Sequence, residues 1–184
     1  SILSDIQSGA VHGINVTNPY KMKVINPDII LSKHAKQINA INCIYNNNHL
    51  IGDNTDWVGF IKSIDYNKIN LKEYNIKIIG AGGSSRAIIY SLQKLGINNF
   101  TIYNRTKKEF IVNKIKYVTA SLDEFNTTTL ENIFLINCIN TNAINNIINK
   151  VNVNSIHYFY DLNYHKSELH DVLESKDIKV IVGL

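Results

Sequence analysis

Three stretches of this chain carry residue types that could do chemistry together. Gly13-Ile14-Asn15-Val16-Thr17-Asn18-Pro19-Tyr20-Lys21 packs a hydroxyl, a proline corner and a lysine into nine residues. Asp53-Asn54-Thr55-Asp56 supplies two carboxylates, an amide and a hydroxyl. A lysine beside a carboxylate can relay the proton that leaves or joins an oxygen when a secondary alcohol and a ketone interconvert. Spacing alone leaves a second reading open, in which Lys21 is a surface lysine and Asp56 caps a helix. The third stretch, Gly80-Ala81-Gly82-Gly83-Ser84-Ser85-Arg86, follows an apolar run and precedes a helical pattern. In that context Gly80 permits a tight turn. Gly82 and Gly83 let the backbone approach a dinucleotide pyrophosphate at a helix N-terminus, where free N–H groups favour an anion. Ser85 stands where Gly or Ala is usual, and is small enough to serve. A glycine turn kept for packing alone is the alternative.

The end of the next strand bears on which dinucleotide. A site for NAD would place Asp or Glu there to bind the ribose 2′-hydroxyl. Here the chain reads Tyr103-Asn104-Arg105-Thr106-Lys107-Lys108, with no acid until Glu109. A guanidinium, a hydroxyl and lysines suit a 2′-phosphate, so the expected cofactor is NADP.

The surrounding pattern says what positions these groups. Residues 11–17 alternate like a strand ending at Thr17, Pro19 fits the first turn of a helix, and Asp28–Gln37 has helical spacing. Residues 40–45 and 49–51 predict a hairpin around Asn46-Asn47-Asn48, and 53–67 a helix with Trp57, Phe60, Ile61 and Ile64 on one face. The polar stretch 67–75 reads as a linker. Beyond it strands and helices alternate: strand 76–79, helix 84–95 stopped by Gly96, strand 100–103, helix 107–115, strand 116–118, a short helix near 121–125, strand 133–137, strand 157–160, helix 167–175 and strand 179–182. That order calls for an α/β fold with a doubly wound parallel sheet. The expected division is a smaller substrate domain at 1–67 and a dinucleotide domain at 68–184.

Composition narrows the classes. Hydrophobic residues make up 45% and charged residues 18%, enough for a real core. The net charge of +4 comes from lysines scattered along the chain, which disfavours a nucleic-acid face. Cys43 and Cys138 lie far apart, without metal-ligand spacing, and the six histidines form no HExxH-like pair, so no metal and two buried reduced thiols are expected. No apolar run approaches the ~20 residues of a membrane span. The start lacks an export signal, and a cytoplasmic protein is expected.

Taken in order, Gly13-x-Asn15-Val16-Thr17-x-Pro19-x-Lys21, Ala40-Ile41-Asn42, Gly52-x-Asn54-Thr55-Asp56-x-x-Gly59, the glycine turn Gly80–Arg86, Asn104-Arg105-Thr106 and Tyr160-Asp161-x-x-Tyr164 resemble the motifs of the shikimate dehydrogenases over nearly the whole chain. The resemblance implies an α/β substrate domain joined to a Rossmann domain, reduction of 3-dehydroshikimate to shikimate with NADPH in aromatic amino-acid biosynthesis, and a monomer or homodimer acting on this small substrate. It implies Lys21 as the proton-transferring residue and Asp56 as its partner and a substrate ligand. Thr17, Asn42 and Tyr164 are implied as further substrate ligands, although a packed aromatic is an equal reading of Tyr164. The cofactor phosphates fall to Gly80, Ala81, Gly82, Gly83 and Ser84 and to Asn104, Arg105 and Thr106, with Leu162 and Gly183 near the nicotinamide. The departures are Cys43 for the usual Thr, Asn137-Cys138-Ile139-Asn140-Thr141-Asn142 for Asn-Ala-Thr-Pro-x-Gly, and Glu109 for a second basic residue. The family's Ser-x-Ser unit and glutamine-bearing helix fall outside these 184 residues, so a partial chain or a reduced enzyme is expected. A quinate/shikimate dehydrogenase using NAD and a non-catalytic dinucleotide-binding remnant are the alternatives.

Overall fold

The computed structural model describes residues 1–125, 132–149 and 152–183. Its first part runs α1 (Ile2–Gln7), β1 (Gly13–Asn15), β2 (Ile30–Leu31), α2 (Lys33–Ile38), β3 (Cys43–Asn46), β4 (Leu50–Asp53) and α3 (Asp56–Tyr66). The strands form a sheet in the order β1-β3-β4-β2, antiparallel except for the β2–β4 pair. The β3–β4 pair is the hairpin expected around Asn46-Asn47-Asn48, with bounds shifted by one to three residues. Ile6, Val16, Ile29, Ala35, Ile41, Ile44 and Leu50 pack on this sheet.

Two local expectations fail here. Residues 18–24 form turns, held by bonds from Tyr20 N to Thr17 O and from Val24 N to Tyr20 O, so no helix starts at Pro19. The expected 28–37 helix begins only at Lys33, because Ile30 and Leu31 pair with β4 and Ser32 caps the helix by accepting from Ala35 N at 3.1 Å. The opening residues, unreadable alone, form α1 because Ile6 buries itself in the sheet's core.

The second part contains β5 (Asn75–Ile79), α4 (Gly83–Lys94), β6 (Phe100–Asn104), β7 (Glu109–Val112), β8 (Ile115–Val118), β9 (Ala120–Ser121), β10 (Ile133–Asn137), α5 (Thr141–Ile148), β11 (Ile156–Asp161), α6 (Glu168–Glu174) and β12 (Lys179–Val182). Six strands make one parallel sheet in the order β12-β11-β10-β5-β6-β9. From the first strand of this sheet, the order is that of a doubly wound dinucleotide fold. One face packs with α4 around Ile78, Ile88, Phe134 and Tyr160, and takes Phe60 and Ile64 of α3 into the same core. The other face buries Ile79, Leu135, Phe159 and the inward side of α5 and α6. The crossover after β5 thus lies on one face and that after β10 on the other. The switch point falls between these two neighbouring strands.

One expected helix is absent. Residues 109–118 form the β7–β8 hairpin, so the 107–115 helix is wrong and the 116–118 strand belongs to that hairpin. Phe110 and Val112 are buried while Glu109 and Ile111 are exposed, a period of two. Asn113 and Lys114 take φ of 48° and 69°, as a tight hairpin turn requires. The hairpin is held on α4 by Arg86, which donates to Ile111 O at 2.9 Å with its guanidinium 4.9 Å from the Phe110 ring centre.

Candidate active site

The catalytic-type residues come together because one strip of chain is laced to another. Val16 N donates to Asn42 O at 2.6 Å, Ile41 N to Lys21 O at 2.7 Å and Asn42 N to Asp53 O at 2.9 Å. Asn54, almost fully buried, donates to Ala40 O at 3.0 Å and accepts from Asp56 N at 3.1 Å, which fixes the first turn of α3. Lys21 and Asp56 therefore face each other, with Lys21 Nζ 2.7 Å from Asp56 Oδ2. Asn42 Nδ2 donates to the other oxygen, Oδ1, at 2.8 Å, and Asn42 Oδ1 accepts from Thr55 N at 2.9 Å. Lysine and aspartate side chains are only 13% and 5% exposed, so solvent screens the pair weakly.

The sheet of the second part meets this corner directly. Lys21 Nζ also donates to Ser84 Oγ at 3.1 Å. A Cβ placed on Gly83 would stand 2.8 Å from Lys21 Cβ and 3.4 Å from Ala40 Cβ, so only glycine allows this approach. By contrast, a Cβ on Gly82 would meet nothing within 4 Å. Gly82 caps α4 without any side-chain hydrogen bond, leaving the helix's first N–H groups free of one. Bare backbone, open space and orphan donors are what an anionic group such as a pyrophosphate needs.

These features border a cleft of about 930 Å³. Thr17, Lys21, Asn42 and Asp56 line it from the first part, and Gly82, Gly83, Ser84, Leu162 and Tyr164 from the second. Other expected residues stand elsewhere. Gly80 (φ +103°) and the buried Ala81 lie beneath the turn, Gly80 N donating to Tyr103 O at 2.7 Å. Asn104, Arg105 and Thr106 stand at the exposed end of β6, outside the cleft lining, where Asn104 Nδ2 donates to Thr106 O at 2.8 Å. Gly183 sits behind Tyr164, a Cβ there meeting the ring at 3.6 Å. Beside them, Lys107 and Glu124 pair, as do Glu109 and Lys116.

The pattern missed several lining residues, among them Lys62, Cys138, Asn140, Asn163 and His165. Lys62 follows Gly59 by three residues on α3 and was open to helical spacing. Cys138 and Asn140 lie in the 137–142 stretch that departs from the family motif, and nothing local marked Asn163 or His165. Both cysteines are free and half-buried rather than buried. Burial, chiefly, pushes the Cys138 thiol up to about 12, with Ser85 and Lys21 opposing and Asp161 and Asp56 adding to the rise. It is a neutral neighbour of the pair, not a nucleophile. Among the described residues no group of three His, Cys, Asp or Glu could hold a metal, and no helix is long and apolar enough to cross a membrane.

The parallel sheet, its switch point and the glycine turn define a Rossmann-type α/β protein with a second, smaller sheet across the cleft. The Shikimate / quinate 5-dehydrogenase family model matches residues 63–179, and the chain belongs to that family. A shikimate dehydrogenase (NADP(+)) of Aquifex aeolicus is 44% identical over 102 residues, covering 55% of this chain and 38% of that protein. One from Pelagibacter ubique is 30% identical over 180 residues, covering 95% of this chain and 67% of its own length. The chain thus spans from under half to about two thirds of the length of these curated relatives. Crystal structures share the fold. Shikimate dehydrogenase 1 from Peptoclostridium difficile superposes with a TM-score of 0.81 at 24% identity, over 100% of this chain and 70% of that one. A shikimate dehydrogenase in complex with NADP+ gives 0.75 at 26% identity, over 99% and 69%.

Proposed function

We propose that this chain supplies the proton-transfer corner and the cofactor domain of an NADP-dependent shikimate dehydrogenase, which reduces 3-dehydroshikimate to shikimate and back. The observation that carries the proposal is the Lys21–Asp56 pair at 2.7 Å, set against Ser84 of the glycine turn. On this reading residues 1–67 are the substrate side and 68–184 the cofactor side.

When bound, the nicotinamide supplies a hydride to the substrate carbonyl carbon. The chain's own residues do the rest. Lys21, as an ammonium, gives one of its protons to the carbonyl oxygen as that oxygen gains charge, forming the hydroxyl. Asp56 holds the lysine in place and orients it, and it accepts a neighbouring substrate hydroxyl. Asn42 keeps the carboxylate turned toward Lys21 by occupying its other oxygen. Thr17 and Tyr164 border the same space and bind the remaining substrate oxygens. Free N–H groups of Gly83, Ser84 and Ser85 hold the pyrophosphate, and Arg105 with Thr106 takes the 2′-phosphate. The fit rests on the open, uncapped turn at Gly82.

A second reading has support from Lys107, since Glu124 pairs with it and so occupies one of the basic groups that follow β6. It makes the enzyme a quinate/shikimate dehydrogenase using NAD. The test is oxidation of NADPH and of NADH by the full-length protein with 3-dehydroshikimate and 3-dehydroquinate. Turnover with NADPH and 3-dehydroshikimate is expected. Dinucleotide binding without any turnover would mean a non-catalytic remnant and sink the proposal.

A further inference from the structure

Asp161, at the carboxyl end of β11, has no exposed surface, and neither has His170, its neighbour. The carboxylate collects four donors. Oδ2 lies 2.9 Å from His170 Nε2, and Oδ1 accepts from Asn137 Nδ2 at 2.9 Å, Asn163 N at 2.9 Å and Asn163 Nδ2 at 2.7 Å. His170 Nδ1 accepts from Ser167 N at 2.8 Å, so the ring proton is on Nε2 and points at the carboxylate. Asn137 is the register partner of Asp161 on β10, and its amide closes on both N and O of Ile139. Asn163 Nδ2 reaches the same Ile139 O at 3.0 Å. Leu162 N donates to Asn137 O at 3.1 Å, and Gly183 N to Asp161 O at 2.8 Å.

One buried carboxylate therefore ties together the loops that follow β10 and β11 and anchors both to α6 through His170, while the main-chain carbonyl of Asp161 holds Gly183 after β12. The two loops, through Cys138, Ile139, Asn140, Leu162, Asn163 and Tyr164, are the wall that the parallel sheet gives to the cleft. They stand beside the switch point, where a doubly wound sheet takes its ligand. Burying a carboxylate is costly, and apolar packing stabilises as well or better, so stability alone does not call for it. Its four bonds do specify one arrangement of the two loops, beyond the main-chain bond from Leu162 N to Asn137 O and the packing of Cys138, Ile139 and Leu162.

We propose that Asp161, held by His170, is a positioning residue that fixes the sheet-side wall of the cleft, and with it the placement of the dinucleotide against Lys21. The inference rests on the cofactor reading above. Asp161→Asn sets an amide N–H against either the His170 N–H or the three donors at Oδ1. His170→Gln keeps a donor for the carboxylate, and Asn163→Ala removes only the link to Ile139 and Oδ1.

The experiment uses the full-length protein and three readouts: NADPH binding by fluorescence, shikimate binding by calorimetry, and amide hydrogen exchange of the unliganded protein over 136–141 and 161–165. Asp161→Asn should weaken NADPH binding about tenfold or more, and shikimate binding, which draws only Tyr164 from this wall, by a smaller factor. It should also speed exchange in both loops together. Asn163→Ala should do the same more weakly, and His170→Gln should return most of the cofactor affinity that His170→Ala loses. Unchanged exchange and NADPH affinity in Asp161→Asn, with only a lower melting temperature, would overturn the proposal. If Asp161→Asn does not fold, unchanged values in Asn163→Ala overturn it instead. Wild-type protein that binds no NADPH defeats the cofactor reading, whereas the exchange coupling of the two loops still decides the positioning role.

Discussion

The two sides of the cleft are built in opposite ways. On the side of the first sheet Lys21, Asp56, Asn42 and Thr55 satisfy one another, and Lys21 and Asp56 leave little surface to water. On the side of the parallel sheet Gly82 caps a helix with nothing, and Arg105 and Thr106 stand exposed. The first side is pre-organised by its own hydrogen bonds, so its groups are in place before any ligand arrives. The second offers open space and orphan donors that a ligand must complete. On the proposed function, a pair that transfers a proton gains from fixed geometry, and a surface that holds a large, charged, exchangeable cofactor gains from being left unfilled.

That contrast can be broken at several points. Removing the proton donor should cost most. Lys21→Ala is expected to lower kcat about a thousandfold, with NADPH affinity changed only a few-fold. Comparable losses in both would mean the lysine only shapes the cleft. Next comes the contact between the sides. Gly83→Val drives a side chain into Lys21 Cβ and Ala40 Cβ and should cost about a hundredfold in kcat/KM. Gly82→Ala, which meets nothing within 4 Å, should cost a few-fold at most, and equal effects would deny the distinction.

Arg105→Ala should raise the KM for NADPH about tenfold, while leaving the KM values for NADH and for 3-dehydroshikimate unchanged. An equal rise with NADH would move the 2′-phosphate elsewhere.

The smallest effect concerns Cys138. Its thiol stays protonated up to about 12 in the fold, whereas its ordinary value is 9.0. An acid raised on folding stabilises the fold fully below its unfolded value, and that stability drains as pH climbs toward the folded one. Wild-type stability should therefore fall between pH 9 and 12 by up to about 1.4 kcal/mol per pH unit more than that of Cys138→Ala. Parallel curves in urea titrations would contradict it.

Strand–turn–helix order around Gly80 and the alternation beyond it were enough to read the parallel sheet, because each strand's apolar run and each helix cap are local. That Thr17, Lys21, Asn42 and Asp56 share one cleft was legible through their combination, since spacing alone left Lys21 and Asp56 open to a blander reading. The 107–115 segment was misread because Lys107 to Ile115 tolerates both periods, and burial of Phe110 and Val112 against α4 chose the strand. Asn163 and His170 were silent in the sequence, being ordinary polar residues until one carboxylate gathers them.

By itself the sequence determined which residues bear protons, where the backbone turns bare of side chains, and that strands and helices alternate. Those properties belong to side chains and to neighbours a few residues apart. Tertiary structure alone decided that Lys21 meets an aspartate 35 positions on and a serine 63 positions on, and that residue 83 must be glycine for them to do so. Contacts across such separations depend on how two sheets pack, and no local pattern encodes that distance.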